Sequence, residues 1–353
     1  MEKIRTIVVS SKPHKSNMDL IGDISKESIK WYLSTAPKLQ SLNIERRFIE
    51  NIIERENPEV IVLFGGLPKR IRDVARKVNA KIIVYYHMIA PWYVEIRGFY
   101  RKYRWGDLSM LYFAFNLALS RRLSCDLDPW GCADIVVVNS DYMRFLARRY
   151  WGREPYVLHP PIEIEKFSYR SLLSREPSVI VVGRLNRDKR FEETIQAVGM
   201  LDNSLKRRII VHIVGFLEDS NYLQELISLA KKLSVRLRIS INMPEREKLY
   251  VLSKSMVFVN NSRHEHFGIA VIEAMASGTP VIVHRSGEPW LGIVARGAYC
   301  FGYGDVAELS RQLEMVFTNE GLWNRLSQLS IARSKEYDFK VFKERLLKII
   351  LGT

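Results

Sequence analysis

Nine short runs rich in β-branched residues recur along the chain with helix-length mixed segments between them, a spacing that restricts it to parallel strands joined by helical crossovers. The runs are Ile4–Val9, Val60–Phe64, Ile82–Tyr86, Ile135–Val138, Val179–Val182, Ile209–Val214, Leu237–Ile241, Val257–Val259 and Pro280–Val283. Each is followed directly by a polar or small residue: Ser10, Gly65, His87, Asn139, Gly183, Gly215, Asn242, Asn260 and His284. In open α/β sheets, ligands bind outside the carboxyl ends of the strands, so these positions are where chemistry is expected.

At 353 residues the chain is longer than one hydrophobic core usually organises, so two domains are expected. The pattern breaks between Leu158 and Val179 into HPPIEIEKFSYRSLLSREPS, with Pro160, Pro161 and Pro177 and no clean periodicity, as an interdomain connection would. The expected division is 1–165, 166–335 and a terminal segment 336–353. Within the last, Phe339–Leu351 has helical apolar spacing and is expected to pack back on the first domain. Each half would carry its own doubly wound sheet, the two facing across a cleft.

Hydrophobic residues at 47% and charged residues at 26% exclude disordered, collagenous and coiled-coil classes. Lys and Arg exceed Asp and Glu by 54 to 39, a net charge of +15 that suits phosphates, nucleic acid or anionic headgroups as partners. The cysteines Cys125, Cys132 and Cys300 form no even framework and no Cys-x-x-Cys pair. A reducing, cytoplasmic setting without structural zinc is therefore expected. The first apolar run ends at Val9, too short for a signal-peptide core, and the apolar stretch Leu108–Leu119 is shorter than the roughly 20 residues of a membrane span.

The most informative segment is Ser262–Val283, SRHEHFGIAVIEAMASGTPVIV, which reads as loop, helix, tight turn and buried strand. Gly268 opens the helix, Gly278 takes the left-handed position after it, and Pro280 begins the strand. Glu273 is the one acid among apolar helix residues, and an ionised carboxylate there is costly to bury without donors. The bland alternative sends it to solvent or to a nearby Arg. Glu265, eight residues earlier, falls in the entry loop, and the backbone N–H groups of Phe267, Gly268 and Ile269 form a seat for an anionic group. A second basic loop, Gly183–Lys189, places Arg184 and Lys189 after a strand, where a guanidinium fork and a mobile ammonium can converge on a diphosphate.

Together these pieces resemble the retaining glycosyltransferases of the GT-B fold, family 4. The resemblance runs through VVGRLNRDKR, IVGF, EREKLYVLSKSMVFVNNSRHEHFGIAVIEAMASGTPVIVHRSGEP and GDVAEL. It implies two Rossmann-like domains, an acceptor-side one first and a nucleotide-sugar-binding one second, and no required cofactor or metal. By the resemblance Arg184 and Lys189 bind the donor diphosphate and Glu273 the ribose hydroxyls. Glu265, with the Phe267–Ile269 backbone, holds the transferred sugar and its distal phosphate.

The first half matches less closely. His87 follows a strand where the family often places a His against the donor sugar, VNSDYM resembles the usual strand-to-helix junction, and VLHPPIEIEKF resembles the domain linker. The Gly-rich turn many members carry after the first strand is replaced by Ser10-Ser11-Lys12-Pro13-His14. The HEHFGIAVIE form and Ser286-Gly287-Glu288-Pro289 are most similar to mannosyltransferases that extend a dolichol-linked oligosaccharide from the cytoplasmic face. GDP-mannose is the first choice of donor, with a UDP-sugar and a soluble acceptor as the alternative. Asn242 and Met243 lie where members commonly contact the base.

The mechanism this implies is metal-independent transfer of a hexose with retention to a hydroxyl of a lipid-linked or other glycan. Catalytic roles fall to His87, Glu265, Arg184 and Lys189, and domain closure about Pro160–Pro161 would exclude water. Asp126-Leu127-Asp128 has the Asp-x-Asp form of a metal site but precedes Pro129 and Trp130, which reads as a capping or surface loop. His264 and His266 match no common zinc spacing, and the sequon Asn260-Asn261-Ser262 is irrelevant in a cytoplasmic chain. Arg97–Arg104, RGFYRKYR, interleaves cations with aromatics; it suits peripheral contact with an anionic membrane surface, or a solvated basic loop. Read with its neighbouring cations, it also admits a rival of another class, a non-catalytic nucleic-acid-binding α/β protein, which the transferase motifs disfavour.

Overall fold

The computed structural model describes residues 6–10, 29–33, 50–64, 69–87 and 128–352. The chain divides into two compact units. The first comprises Met1–Asn139, Met143–His159 and Lys343–Thr353; the second comprises Ser140–Tyr142 and Pro160–Phe342.

The first unit is built on a parallel sheet of six strands: β1 (Thr6–Ser10), β2 (Ile29–Leu33), β3 (Val60–Phe64), β4 (Lys81–Tyr86), β5 (Ile135–Val138) and β6 (Tyr156–Val157). Their order is β2-β1-β3-β4-β5-β6. Ile82 to Tyr86 and Val136 to Val138 are buried, as strands covered on both faces must be. The helix Lys69–Lys77 contributes Ile71, Val74 and Ala75 to that core. Tyr85 donates its hydroxyl to the Leu158 carbonyl at 2.8 Å, and burial pushes its pKa far up. Lys81 Nζ donates to the Ile350 carbonyl at 3.1 Å, near the end of the helix Phe339–Leu351, where the helix dipole favours a cation.

The second unit carries β7 (Glu176–Val182), β8 (Ile210–Gly215), β9 (Arg236–Ile241), β10 (Ser255–Asn260), β11 (Val281–His284) and β12 (Phe301–Tyr303), all parallel, in the order β12-β11-β10-β7-β8-β9. Its core gathers Val179 to Val181, Val257 to Val259 and Val281 to Val283 from the central strands. Ile195 and Val198 join from the helix Glu192–Gly199, Leu309 and Leu313 from Val306–Thr318, and Trp323 from Glu320–Ser334. Trp323 is wholly buried and donates its indole N–H to the Met256 carbonyl at 2.8 Å, which removes the cost of burying that donor.

The strands β2, β6 and β12 had no counterpart among the expected runs. All three lie at sheet edges, where one flank is uncovered and a continuous apolar run is not required. β7 begins at Glu176, inside the segment read as linker, and Pro177 lies beside a register shift in the β7–β10 pairing, a place a strand tolerates proline. Arg175, just before it, is buried and fans out to the carbonyls of Arg170, Ser255 and Ser277 and to Thr279 Oγ1, at 2.7–3.0 Å.

Cys132 is disulfide-bonded, whereas Cys300 is a buried free thiol. Ser11 to His14, Gly65, Arg97–Arg104, Leu108–Leu119, Cys125 and Asp126 lie outside the described residues. Among the described residues, no helix is long and apolar enough to cross a membrane.

Candidate functional site

The loops that follow β7, β8, β10 and β11 arise from four adjacent strands of the second sheet, so their first residues share one edge. The β7 and β8 loops are stitched together by Leu185 N–H to the Phe216 carbonyl at 2.7 Å and Asp219 N–H to the Leu185 carbonyl at 3.0 Å. That approach requires glycine at 215, since a Cβ there would stand 1.7 Å from the Gly183 carbonyl oxygen.

Glu218 is brought under Arg184 by this stitching. Arg184 Nη1 donates to its two carboxylate oxygens at 3.0 and 3.3 Å, and Asn186 Nδ2 donates to one at 2.7 Å. The Asn186 and Arg184 hydrogen bonds, aided by the charges of Arg184 and Lys189, hold the Glu218 carboxyl below its usual range. Lys189 closes the other side of the loop, donating to Glu265 Oε2 at 2.6 Å with both side chains about a quarter exposed or less. Arg184, Glu218, Lys189 and Glu265 thus form one alternating row of charge.

The Glu265 backbone is fixed from behind by the loop after β11. Glu288 N–H donates to the Glu265 carbonyl at 2.9 Å, and Ser286 Oγ accepts from His264 N–H at 3.1 Å while meeting His284 Nδ1 at 2.7 Å. Gly287 has φ +68, and a Cβ on it would lie 2.5 Å from the Glu265 carbonyl oxygen and 2.6 Å from its nitrogen. Only glycine allows both the left-handed backbone and that approach. Ser140 Oγ donates to the His266 carbonyl at 2.6 Å. Burial, reinforced by neighbouring His264 and opposed by Glu265, lowers the His266 pKa, which keeps its imidazole neutral near pH 7.

Phe267 is buried against Tyr337, with ring centroids 5.9 Å apart, and anchors the turn into the next helix. Gly268 is the N-cap with φ +106, and the helix runs Ile269–Ala276. The first helical turn has N–H groups with no intrahelical acceptor, which leaves a local positive potential beside Glu265. Glu273, one turn in, is buried among Val271, Ile272, Ala274 and Met275, and both its oxygens accept from Lys248 Nζ, at 2.7 and 2.8 Å. Gly278 takes φ +70 after the helix, and Thr279 N–H closes on the Ala274 carbonyl at 2.9 Å.

The structure therefore joins Arg184, Lys189 and Glu265 and the helix entry at Phe267, Gly268 and Ile269, while Glu273 pairs with Lys248. His87 belongs to the first unit and immediately follows β4. Its ring packs edge-on to Tyr85 at 4.7 Å and over Phe64 at 6.0 Å, and its carbonyl accepts from Asn139 Nδ2 at 2.8 Å. Desolvation on the packed side lowers its pKa, so the imidazole is neutral near pH 7. Asp128 directly precedes a single 3-10 turn, Pro129–Gly131.

Sequence reasoning missed Glu218 and Lys248, and it named Gly287 without foreseeing its close approach to the Glu265 backbone. Glu218 was within reach of the strand-end rule, three residues beyond Gly215. Nothing local in EREK connects Lys248 to an acid 25 positions later.

Comparison with known proteins matches the glycosyl transferases group 1 family over residues 164–333. The GDP-Man:Man(3)GlcNAc(2)-PP-Dol alpha-1,2-mannosyltransferase of Xenopus laevis is 28% identical over 178 residues, covering 46% of this chain and 36% of that protein. The Homo sapiens protein of the same name is 27% identical over 234 residues, covering 60% of this chain and 47% of its own length. The chain thus spans less than half the length of either relative. Among solved structures, HepE from Anabaena in complex with UDP aligns over 99% of this chain and 100% of its own, with a TM-score of 0.73 at 14% identity. That likeness bears out the expected GT-B fold with its two parallel-sheet α/β units. Residues 164–333, which contain the row of charge and the Glu273 helix, are a domain of the glycosyl transferases group 1 family.

Proposed function

We propose that the protein is a metal-independent, retaining glycosyltransferase. It moves a hexose, mannose from GDP-mannose as first choice, onto a hydroxyl of a lipid-linked glycan. The observation that carries this reading is the Lys189–Glu265 contact beside a helix N-terminus, inside a group 1 domain. It puts a cation suited to a diphosphate against an acid suited to sugar hydroxyls.

The barrier to transfer lies in departure of the nucleotide diphosphate, with oxocarbenium-like charge on the sugar. Arg184 and Lys189 would exchange Glu218 and Glu265 for the phosphate oxygens and stabilise the growing negative charge, with the first turn of Ile269–Ala276 facing the distal phosphate. Released from Lys189, Glu265 would accept hydrogen bonds from hydroxyls of the transferred sugar. Glu273, paired with Lys248, would accept from the ribose hydroxyls. His87, neutral and placed after β4, is assigned to the sugar's hydroxyls. Cations rather than clustered carboxylates meet the phosphates, which is why no metal is assigned to the reaction. The GDP-mannose and lipid assignments draw support from the names of the relatives at 27–28% identity. A peripheral position on the cytoplasmic membrane face belongs to the same proposal.

The test is a panel of radiolabelled nucleotide sugars offered with extracted membrane lipids, alongside calorimetry with GDP and UDP. The reading expects GDP binding and mannose label in the lipid phase. Label from a UDP-sugar in water-soluble products would move the assignment to that donor and a soluble acceptor. Binding of neither nucleotide would remove the transferase reading.

A further inference from the structure

Glu193 lies in the helix Glu192–Gly199 directly behind the basic loop and is 4% exposed. Its Oε1 accepts from Arg190 Nε at 2.8 Å and from Arg263 Nη2 at 2.7 Å, and its Oε2 accepts from the Tyr303 hydroxyl at 2.8 Å. The Tyr303 oxygen accepts from Asn261 Nδ2 at 2.8 Å, and Asn261 Oδ1 accepts from Thr194 Oγ1 at 2.9 Å. Arg190 is the residue after Lys189, and Arg263 stands two residues before Glu265. One buried carboxylate is therefore bonded to both loops whose tips carry the Lys189–Glu265 pair.

Two features make this more than a surface ion pair. Arg190 sits in the left-handed region at φ 50, a conformation that arginine rarely adopts and that closes the turn Arg187–Lys189. The Glu193 hydrogen bond raises the Arg190 pKa further, and burial and the Glu193 charge raise that of Tyr303. Arg190 and Tyr303 thus meet the carboxylate as donors, as members of a buried network must if it is to stabilise a geometry.

We propose that Glu193 is a positioning residue: it fixes the spacing of Lys189 and Glu265 while both are engaged with substrate. The argument rests on the transferase reading for its kinetic part. When a diphosphate takes Lys189 and a sugar takes Glu265, their direct contact is lost and no longer holds the loops together. The Glu193 network lies behind the loops, makes no use of either tip, and keeps its bonds. Support of this kind tells most in the transition state, where a small misplacement of charge costs rate more than it costs binding.

The test uses the full chain with Glu193→Gln and, as a milder break at a partner more exposed than the carboxylate, Arg263→Lys. Amide hydrogen exchange and transfer kinetics are measured together with thermal unfolding. The expected result for Glu193→Gln is faster exchange confined to residues 187–190 and 262–266. A fall in kcat of roughly thirtyfold should accompany a change in donor KM of less than about threefold, the pattern of a lost transition-state interaction. Arg263→Lys should shift both readouts in the same sense and by less. A folded Glu193→Gln protein with the kcat of the unsubstituted enzyme, or exchange that rises evenly over the second unit, overturns the proposal. If Glu193→Gln does not fold, unchanged exchange and kcat in Arg263→Lys overturn it instead. If the unsubstituted protein transfers no sugar from any donor, the transferase reading fails, and the exchange pattern alone still decides whether Glu193 couples the loops.

Discussion

Lys248 Nζ lies 2.7 and 2.8 Å from the two carboxylate oxygens of Glu273, a grip on both oxygens at once by a residue from the preceding helix, Glu245–Lys254. The Glu273 side chain is 11% exposed and that of Lys248 22%, so removing either partner strands a largely desolvated charge. Lys248→Met should destabilise the protein by about 2 kcal/mol, below the full cost of breaking a buried pair because water still reaches the ammonium. Denaturant unfolding measures this. The double variant Lys248→Met with Glu273→Leu should recover most of the loss, and failure to recover would mean the pair is not the source.

Arg184→Ala and Lys189→Ala should each reduce sugar transfer by roughly a hundredfold or more, the scale seen when one donor to a developing anion is removed. In Arg184→Ala stability should barely move, since Arg184 is well exposed and its partner Glu218 can be met by water. Steady-state kinetics with a verified donor and acceptor check both. Near-normal turnover in either variant would take that residue out of the mechanism.

Glu288 gives a pH prediction. It is fully buried, its Oε2 accepts from the Tyr142 N–H at 2.8 Å, and its Oε1 has no hydrogen-bond partner among the described residues. Burial pushes its pKa up to about 8, with the Asp141 charge adding to the rise and Arg333 and the backbone N–H groups opposing it. The folded state therefore keeps a proton that the unfolded chain releases near its ordinary value of 4.5. The contribution to stability is full below that value and is lost as pH rises through about 8. Glu288→Gln should remove this decline, so the variant should melt higher than the unsubstituted protein at pH 8 and show no such advantage at pH 5. Thermal unfolding at the two values tests it; equal differences at both would contradict the assignment.

Arg175 is a stability prediction inside a segment that reads as linker. Its guanidinium satisfies three carbonyls and a hydroxyl and lies 4.9 Å from the Trp323 ring centroid, while burial lowers its pKa to about 10. A lysine cannot reproduce that planar fork. Arg175→Lys should cost about 3 kcal/mol, the scale of several buried acceptors left unmet. Chemical denaturation is the measurement, and a loss under about 1 kcal/mol would show that water replaces the fork readily.

The central strands of both sheets were readable because burial on two faces demands unbroken runs of apolar and aromatic residues rich in β-branched ones, as in Ile82–Tyr86 and Val179–Val182. The helix around Glu273 was readable for a related reason: Gly268 and Gly278 mark its two ends by conformations that other residues resist. The edge strands β2, β6 and β12 were not, since an edge pairs on one flank and asks less of composition. Arg175 was hidden by Pro177 and the surrounding irregularity, although a buried cation beside a strand end has no local sequence mark in any case. The partners Glu218 and Lys248 were invisible for a deeper reason. Electrostatic pairing across 34 or 25 positions is decided by tertiary placement, and only the acids and bases at motif positions announce themselves.

The alternating row Arg184, Glu218, Lys189, Glu265 also bears on what the pocket will ignore. Its cations are already matched by carboxylates of the same chain, so inorganic phosphate or chloride arriving alone would displace an acid and leave it stranded. Under the proposed function, a sugar nucleotide would bring anionic oxygens for the cations together with hydroxyl hydrogens for the carboxylates, and so would compensate both halves in a single arrival. On that reading, selectivity against the abundant small anions of a cell would follow from the pairing, before any contact with base or hexose is counted.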